Sequence, residues 1–166
     1  VNEENQQLDA PTRYLAILSV LIGCGGVDAY REMLPIALEN GMTPVMVKET
    51  VYQATDYLGY GRMLPFLNAT NEVFADGNIP LPLPGQATTT MENRLEKGAE
   101  AQAEIFGEQM KEAWKNGHIN RWLAENCFGD YYTRTGLDYR QRELITFCFL
   151  AAQGGCEPQL TSHIAA

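Results

Sequence analysis

The side chains best suited to chemistry in this sequence are a cysteine and a histidine that follow a pair of glycines. Cys156 comes directly after Gly154 and Gly155, and His163 lies seven residues further on. Pro158 suits the first position of a helix, so Cys156 is predicted at or just before the N-cap, where the helix dipole favours a thiolate. Seven residues are close to two helical turns, so Cys156 and His163 share a face, about 10 Å apart along the axis. A water or a small substrate fits between them.

The residues around this pair resemble the carboxymuconolactone decarboxylase family, which includes the AhpD-type alkylhydroperoxidases. The resemblance rests on Phe128–Leu137, on Glu143-Leu144 and on Gly154–His163. In the N-terminal half, Tyr57–Arg62 is similar to the tyrosine–glycine–arginine turn of the family, with Gly61 where a proline is common. The resemblance covers nearly the whole chain except a proline-rich linker. It implies an all-α fold, an AhpD-like helical bundle of two related helical repeats.

The resemblance also implies roles for individual residues. His163, Cys156 and Glu143 correspond to catalytic positions, and Gln159 and Arg134 are expected to bind or orient the substrate. In the AhpD-type peroxidases Gln159 is replaced by the second cysteine of a CxxC motif. A dithiol peroxidase needs that thiol to close its disulfide. Its loss favours acid–base decarboxylation, in which His163 protonates the enolate-like carbanion that remains after loss of carbon dioxide.

Three functions stay open at this point. The first is a carboxy-lyase activity, a cofactor-free acid–base decarboxylation or related reaction of a small cyclic carboxylic acid or lactone. The second is a thiol peroxidase that uses Cys156. The third is a non-catalytic binding or assembly protein on the same fold. Release of carbon dioxide from a lactone acid favours the first, peroxide consumption by a thiolate favours the second, and inertness in both assays favours the third.

Composition and charge exclude several classes of partner. The net charge of −9 and the lack of a basic cluster argue against nucleic acid. The longest apolar run, Tyr14–Ile22, is too short to span a bilayer. No histidines or carboxylates have metal-ligand spacing, so neither a metal nor another cofactor is expected. The four cysteines contain no CxxC motif and are interpreted as reduced thiols of a cytoplasmic protein.

Apolar residues at helical spacing and helix-capping residues predict helices along most of the chain. Three prolines between residues 76 and 86 predict an extended linker instead. Asp138 and Gln141 have the spacing of a capping box. The first predicted helix is opened by Asp9 and Pro11 and ends at the glycine cluster of residues 23–26. The others cover residues 27–40, 44–58, 62–74, 90–106, 108–115, 119–128 and 139–153, and a last one begins at Pro158.

A weak internal repeat at an offset of 130 residues pairs Gly25 with Gly155. It divides the chain into a degenerate, structural first repeat, a linker, and a second repeat that carries the candidate site, with the bounds 1–75, 76–89 and 90–166. The second repeat has no counterpart of residues 41–74 and is incomplete as written. Its apolar helix, 139–153, is therefore expected to be covered by neighbouring subunits or by residues further downstream. We expect a homo-oligomer, a trimer or hexamer by the resemblance, that acts on a small-molecule substrate.

Overall fold

The computed structural model describes residues 7–164, and this part of the chain contains helices and turns but no β-strand. The predicted all-α fold is confirmed. Two single 3₁₀ turns lie between the fifth and sixth helices, at Glu108–Met110 and Ala113–Lys115, and the sixth helix continues as a π-helix, Leu123–Tyr132. The α-helices are α1 (Ala10–Gly23), α2 (Val27–Glu39), α3 (Pro44–Leu58), α4 (Tyr60–Asp76), α5 (Arg94–Phe106), α6 (His118–Trp122), α7 (Tyr139–Gln153) and α8 (Glu157–Ile164). Over residues 7–164, none of these helices is both long and apolar enough to cross a membrane.

Side-chain caps fix three helix starts at the positions that the sequence predicts. Asp9 caps α1 and Thr43 caps α3, each by accepting a hydrogen bond from a backbone N–H of the first turn. Asp138 and Gln141 form the expected capping box at the start of α7, with distances of 2.8 and 3.0 Å. These local interactions set where the long helices begin, and hence which of their faces point inward.

The prediction is wrong for the segment before α6. Residues 108–115 form 3₁₀ turns instead of a helix. Gly107 and Gly117 bracket the segment with φ values of 104° and 109°, which glycine adopts at little cost. The stretch between them is too short to sustain an α-helix without strong packing. The predicted helix 90–106 begins only at Arg94, because Asn93 closes a turn with the backbone N–H of Thr90.

The main core lies between α1, α2, α3, α4 and α7. Ile145 and Phe149 of α7 are fully buried in it. The backbones of α1 and α7 come so close that a Cβ on Gly23 would lie 2.9 Å from the carbonyl oxygen of Phe149. The apolar face of α7 is therefore covered within the chain. The premise that a neighbouring subunit must cover it is wrong, and the homo-oligomer stays a prediction.

Helix positions recur at the offset of 130 residues. α2 begins at Val27 and α8 at Glu157, and Gly25 and Gly155 in the preceding corners have φ values of 79° and 72°. α7 packs against α1 and α3, so the two halves share one core. The recurrence agrees with an internal repeat, while the boundaries 1–75, 76–89 and 90–166 stay a prediction.

A smaller core holds α5 against the π-helix. Its buried members are Ala101, Cys127, Phe128 and Tyr132. The two backbones touch at a glycine on each side: a Cβ on Gly98 would overlap the carbonyl oxygen of Ala124, and one on Gly129 would overlap that of Arg94. Only glycine permits this approach.

Replacing Gly98 by alanine should therefore destabilise the protein by about 1–3 kcal/mol or more, because backbone atoms must move to admit the methyl group. Gly61→Ala is the matched control, since a Cβ there meets nothing within 4 Å. It should leave stability unchanged or raise it by about 0.5–1 kcal/mol. Urea unfolding of both variants measures the difference. Equal midpoints for Gly98→Ala and the wild type would contradict the close crossing.

Candidate functional site

His163 and Glu143 are in direct contact. The Nδ1 atom of His163 lies 2.6 Å from Oε2 of Glu143, and their side chains are 11% and 10% exposed. The corner at Gly154 and Gly155 turns α8 back onto α7, which brings together residues 20 apart in the sequence. A carboxylate accepts from an N–H, so Nδ1 carries the hydrogen of this bond and Nε2 is left for proton exchange with a ligand.

The second oxygen of Glu143 has no such partner. Oε1 is buried and makes no hydrogen bond within the described part of the chain. Glu143 also lines a cavity of about 430 Å³ together with Tyr139 and Arg140. A buried polar atom without a partner costs free energy, so Oε1 is a ready acceptor for a ligand or a water.

His163 forms part of the wall of a second cavity, of about 360 Å³, within the size range of small-molecule sites. Most of this wall is apolar, and none of its residues is a lysine or an arginine. We call it the His163 cavity. Its apolar residues are Tyr57, Phe106, Met110, Leu123, Phe128 and Leu150, and its polar residues are Gln102, Gln159, Ser162 and His163.

Two aromatic rings hold the imidazole in place. Tyr57 and Phe106 both lie edge-on to His163, with ring centroids 5.9 and 5.6 Å away. Such edge-to-face contacts are favourable and restrict rotation of the ring. Together with the bond to Glu143, they fix the direction in which Nε2 can act.

Gln159 lies in this wall, but Cys156 does not. The Sγ atom of Cys156 donates to the carbonyl oxygen of Leu150 at 3.4 Å and lies 3.6 Å from Nε2 of Gln153. Donation to a carbonyl requires the protonated thiol. The catalytic role expected for Cys156 stays a prediction.

The structure does not bring Arg134 together with His163. Its guanidinium holds Glu49 through two atoms, Nε at 2.8 Å and Nη2 at 2.9 Å, and lies over the ring of Tyr52 at 5.5 Å. It lines a different, smaller cavity with these residues. The bond to Glu49 raises the already high pKa of Arg134 further, so the guanidinium stays charged. Substrate binding by Arg134 in the His163 cavity has no geometric support.

A buried charge cluster, which the sequence reasoning missed, anchors α7 beside the site. Arg142 is fully buried and donates to Glu49 at 3.2 Å, to Gln53 at 2.9 Å and to the carbonyl oxygen of Arg134 at 2.8 Å. Burial lowers the pKa of Arg142, and the carboxylate of Glu49 opposes that effect. The available signal was the spacing of Glu49 and Gln53, two polar residues one turn apart on α3, where both side chains are buried.

A line of polar contacts leads from this cluster toward His163. Gln53 donates to Thr146 at 2.8 Å, and Thr146 is hydrogen-bonded to Tyr132 at 2.8 Å. The hydroxyl of Tyr132 lies 3.2 Å from that of Tyr57, whose ring packs against His163. Burial raises the pKa of both tyrosines well above the usual range, so they stay neutral. The network is thus a rigid support for the imidazole rather than a source of charge.

Asp56 is a further half-buried carboxyl group close to this network. Burial raises its pKa to about 7, the charge of Asp130 adds to the rise, and a hydrogen bond with Cys127 opposes it. Burial also raises the pKa of the Cys127 thiol well above its usual range, and that of Cys148 to about 11. These two thiols are therefore poor nucleophiles at neutral pH.

The fold and the site define an all-α protein with a histidine–carboxylate pair in the wall of an apolar cavity. Residues 1–72 match the family model of the Carboxymuconolactone decarboxylase family, which confirms the resemblance over this part of the chain and agrees with the AhpD-like fold. No curated protein matches the chain. His163, Glu143 and Cys156 lie outside the matched residues, so their roles stay predictions.

Replacement of Asp56 by asparagine should change how stability depends on pH. Between about pH 4 and 7 the unfolded chain loses the Asp56 proton while the folded protein keeps it, so this group's contribution to stability falls as the pH rises. The Asp56→Asn variant has no carboxyl group at this position and so does not lose stability in this way. Its free energy of unfolding relative to the wild type should therefore rise between pH 4 and 8, by an amount on the order of a few kcal/mol.

Denaturant unfolding of both proteins across this pH range measures the effect. Asp28→Asn is the control, because it removes one carboxylate at a fully exposed side chain and so separates burial from net charge. A constant difference between Asp56→Asn and the wild type at every pH would contradict the raised pKa of Asp56.

Proposed function

We propose that this protein is a carboxymuconolactone decarboxylase-like enzyme that performs cofactor-free acid–base chemistry on a small cyclic lactone or carboxylic acid. The observation that carries the proposal is the 2.6 Å contact between His163 and Glu143 in the wall of the His163 cavity. A histidine oriented by a carboxylate is a common general acid and base.

In the proposed reaction the bond between the ring carbon and the carboxylate breaks, and carbon dioxide leaves. The electron pair stays on the substrate as an enolate. Nε2–H of protonated His163 then delivers the proton to carbon, while Glu143 stabilises the imidazolium until transfer. Gln159 supplies an amide donor in the same wall for the oxygen on which negative charge develops.

The apolar wall itself supports a decarboxylation. A substrate carboxylate in this cavity meets no lysine or arginine among the wall residues. Loss of water around a localised carboxylate raises its free energy more than that of a transition state in which the charge is spread over the ring. The cavity therefore favours the reaction without tight binding of the ground-state anion.

A thiol peroxidase has weaker support. Cys156 donates its hydrogen to Leu150 rather than lying in the cavity wall, and Gln159 stands where a resolving cysteine is needed. A non-catalytic binding protein would use the same cavity without a proton transfer. The assays below separate these alternatives.

Release of carbon dioxide from carboxymuconolactone tests the proposal directly. The wild type should be active, His163→Gln should lower kcat by about 100-fold or more, and Glu143→Gln by less, since it keeps a hydrogen-bond acceptor. Cys156→Ser is the matched control and should retain activity. Loss of activity in Cys156→Ser alone would contradict the acid–base role, and an inactive wild type would favour the binding protein.

Peroxide treatment followed by mass spectrometry tests the role of the thiol. We expect sulfenic or overoxidised Cys156 without an intramolecular disulfide, because burial keeps Cys148 protonated, with a pKa of about 11. Cys156→Ser identifies the modified peptide. A stoichiometric Cys148–Cys156 disulfide that a thioredoxin-like donor reduces would contradict this expectation and favour the peroxidase.

A further inference from the structure

A fourth cavity, of about 370 Å³, lies between α3, α4 and the proline-rich segment. We call it the Lys48 cavity. It shares Lys48, Tyr52 and Leu83 with the smaller cavity that Arg134 and Glu49 line, and it shares no residue with the His163 cavity. Its wall consists of Lys48, Tyr52, Asn71, Leu81, Pro82 and Leu83.

Lys48 is a buried cation without a counter-ion in the described part of the chain. The residue is only 7% exposed, and its Nζ donates to Oδ1 of Asn71. No carboxylate of residues 7–164 forms a salt bridge with it, whereas the two guanidinium groups of Arg134 and Arg142 both bind the adjacent Glu49. Burial lowers the pKa of Lys48. A buried cation without an opposite charge is costly, so an anion in the cavity would stabilise this arrangement.

The local charge balance points the same way. Lys48, Arg134 and Arg142 surround one buried carboxylate, Glu49, which leaves an excess of two positive charges in a chain of net charge −9. Arg134 and Lys48 both approach the ring of Tyr52, at 5.5 and 6.0 Å from its centroid. The positive charges of Lys48 and Arg134 therefore both lie beside Tyr52, which lines the Lys48 cavity.

We propose that the Lys48 cavity binds a small organic carboxylate. Its carboxylate pairs with Nζ of Lys48, and its apolar body packs on Leu81, Pro82 and Leu83. Inorganic phosphate fits this wall less well, because both nearby guanidinium groups are occupied by Glu49, and Leu81, Pro82 and Leu83 offer it no side-chain donor. This site is distinct from the acid–base site and does not depend on the function proposed for His163.

Isothermal titration calorimetry with benzoate tests the proposal, with benzyl alcohol and inorganic phosphate as the neutral and purely ionic probes. We expect saturable one-to-one binding of benzoate and much weaker binding of the other two. Lys48→Met should weaken benzoate binding by about tenfold or more, since it keeps the length of the side chain and removes the charge. Lys97→Met, at an exposed lysine of α5, is the matched control and should bind as the wild type does.

Three further variants locate the benzoate and guard against misfolding of Lys48→Met. His163→Gln should bind benzoate as the wild type does. Leu81→Glu places a carboxylate at a 42% exposed position in the cavity wall and should weaken binding, whereas Met91→Glu, at a 73% exposed position, should not. The proposal is overturned if benzoate does not bind, or if it binds equally well to folded Lys48→Met. Loss of benzoate binding in His163→Gln, or equal binding to Leu81→Glu and Met91→Glu, would also overturn it. So would binding of phosphate as tight as that of benzoate.

Discussion

Arg142 ties the second half of the chain to the first through a fully buried ion pair with Glu49. Its guanidinium also holds Gln53 on α3 and the backbone of Arg134 before α7, so the start of α7 has one position relative to α3. Removing one partner of such a pair leaves an uncompensated charge in the core, at a cost of about 3–5 kcal/mol. The next residue, Glu143, faces another side of α7. Because Arg142 anchors the start of this helix, it also fixes the position of Glu143.

The turn at Gly154 and Gly155 brings His163 next to Glu143. With φ values of 70° and 72°, both residues occupy the left-handed region, where a side chain would be strained. The corner ends α7 and starts α8 within three residues, and α8 returns along α7 until His163 meets Glu143. The corresponding corner at Gly25 joins α1 to α2 without such a pair, because Arg13 and Met33 stand at the offset of 130 residues.

Local signals predicted most of the fold. Asp9, Thr43 and Asp138 mark helix starts because a cap needs only a polar side chain and the next turn. The segment 108–115 was mispredicted, since its helical pattern could not outweigh two bracketing glycines. Such local signals do not determine the boundaries of the two repeats.

The site was predicted only in part, for a similar reason. His163, Gln159 and Glu143 followed from one short stretch and a family resemblance, and the structure places all three around α7 and α8. Arg134 is held by Glu49, a residue 85 positions away, and no spacing rule connects the two. The polar line through Gln53 and Thr146 likewise joins residues that are distant in sequence, 93 positions apart.

We propose that Glu143 orients His163 for proton transfer at Nε2. The ¹⁵N chemical shifts of the neutral histidine side chains measure this tautomer directly. We expect hydrogen on Nδ1 of His163 in the wild type and loss of that preference in Glu143→Leu, which removes the acceptor at similar volume. The exposed His118 serves as the internal control and should give the same signals in both proteins. Hydrogen on Nε2 of His163 in the wild type, or a tautomer that Glu143→Leu leaves unchanged, would contradict this role of Glu143.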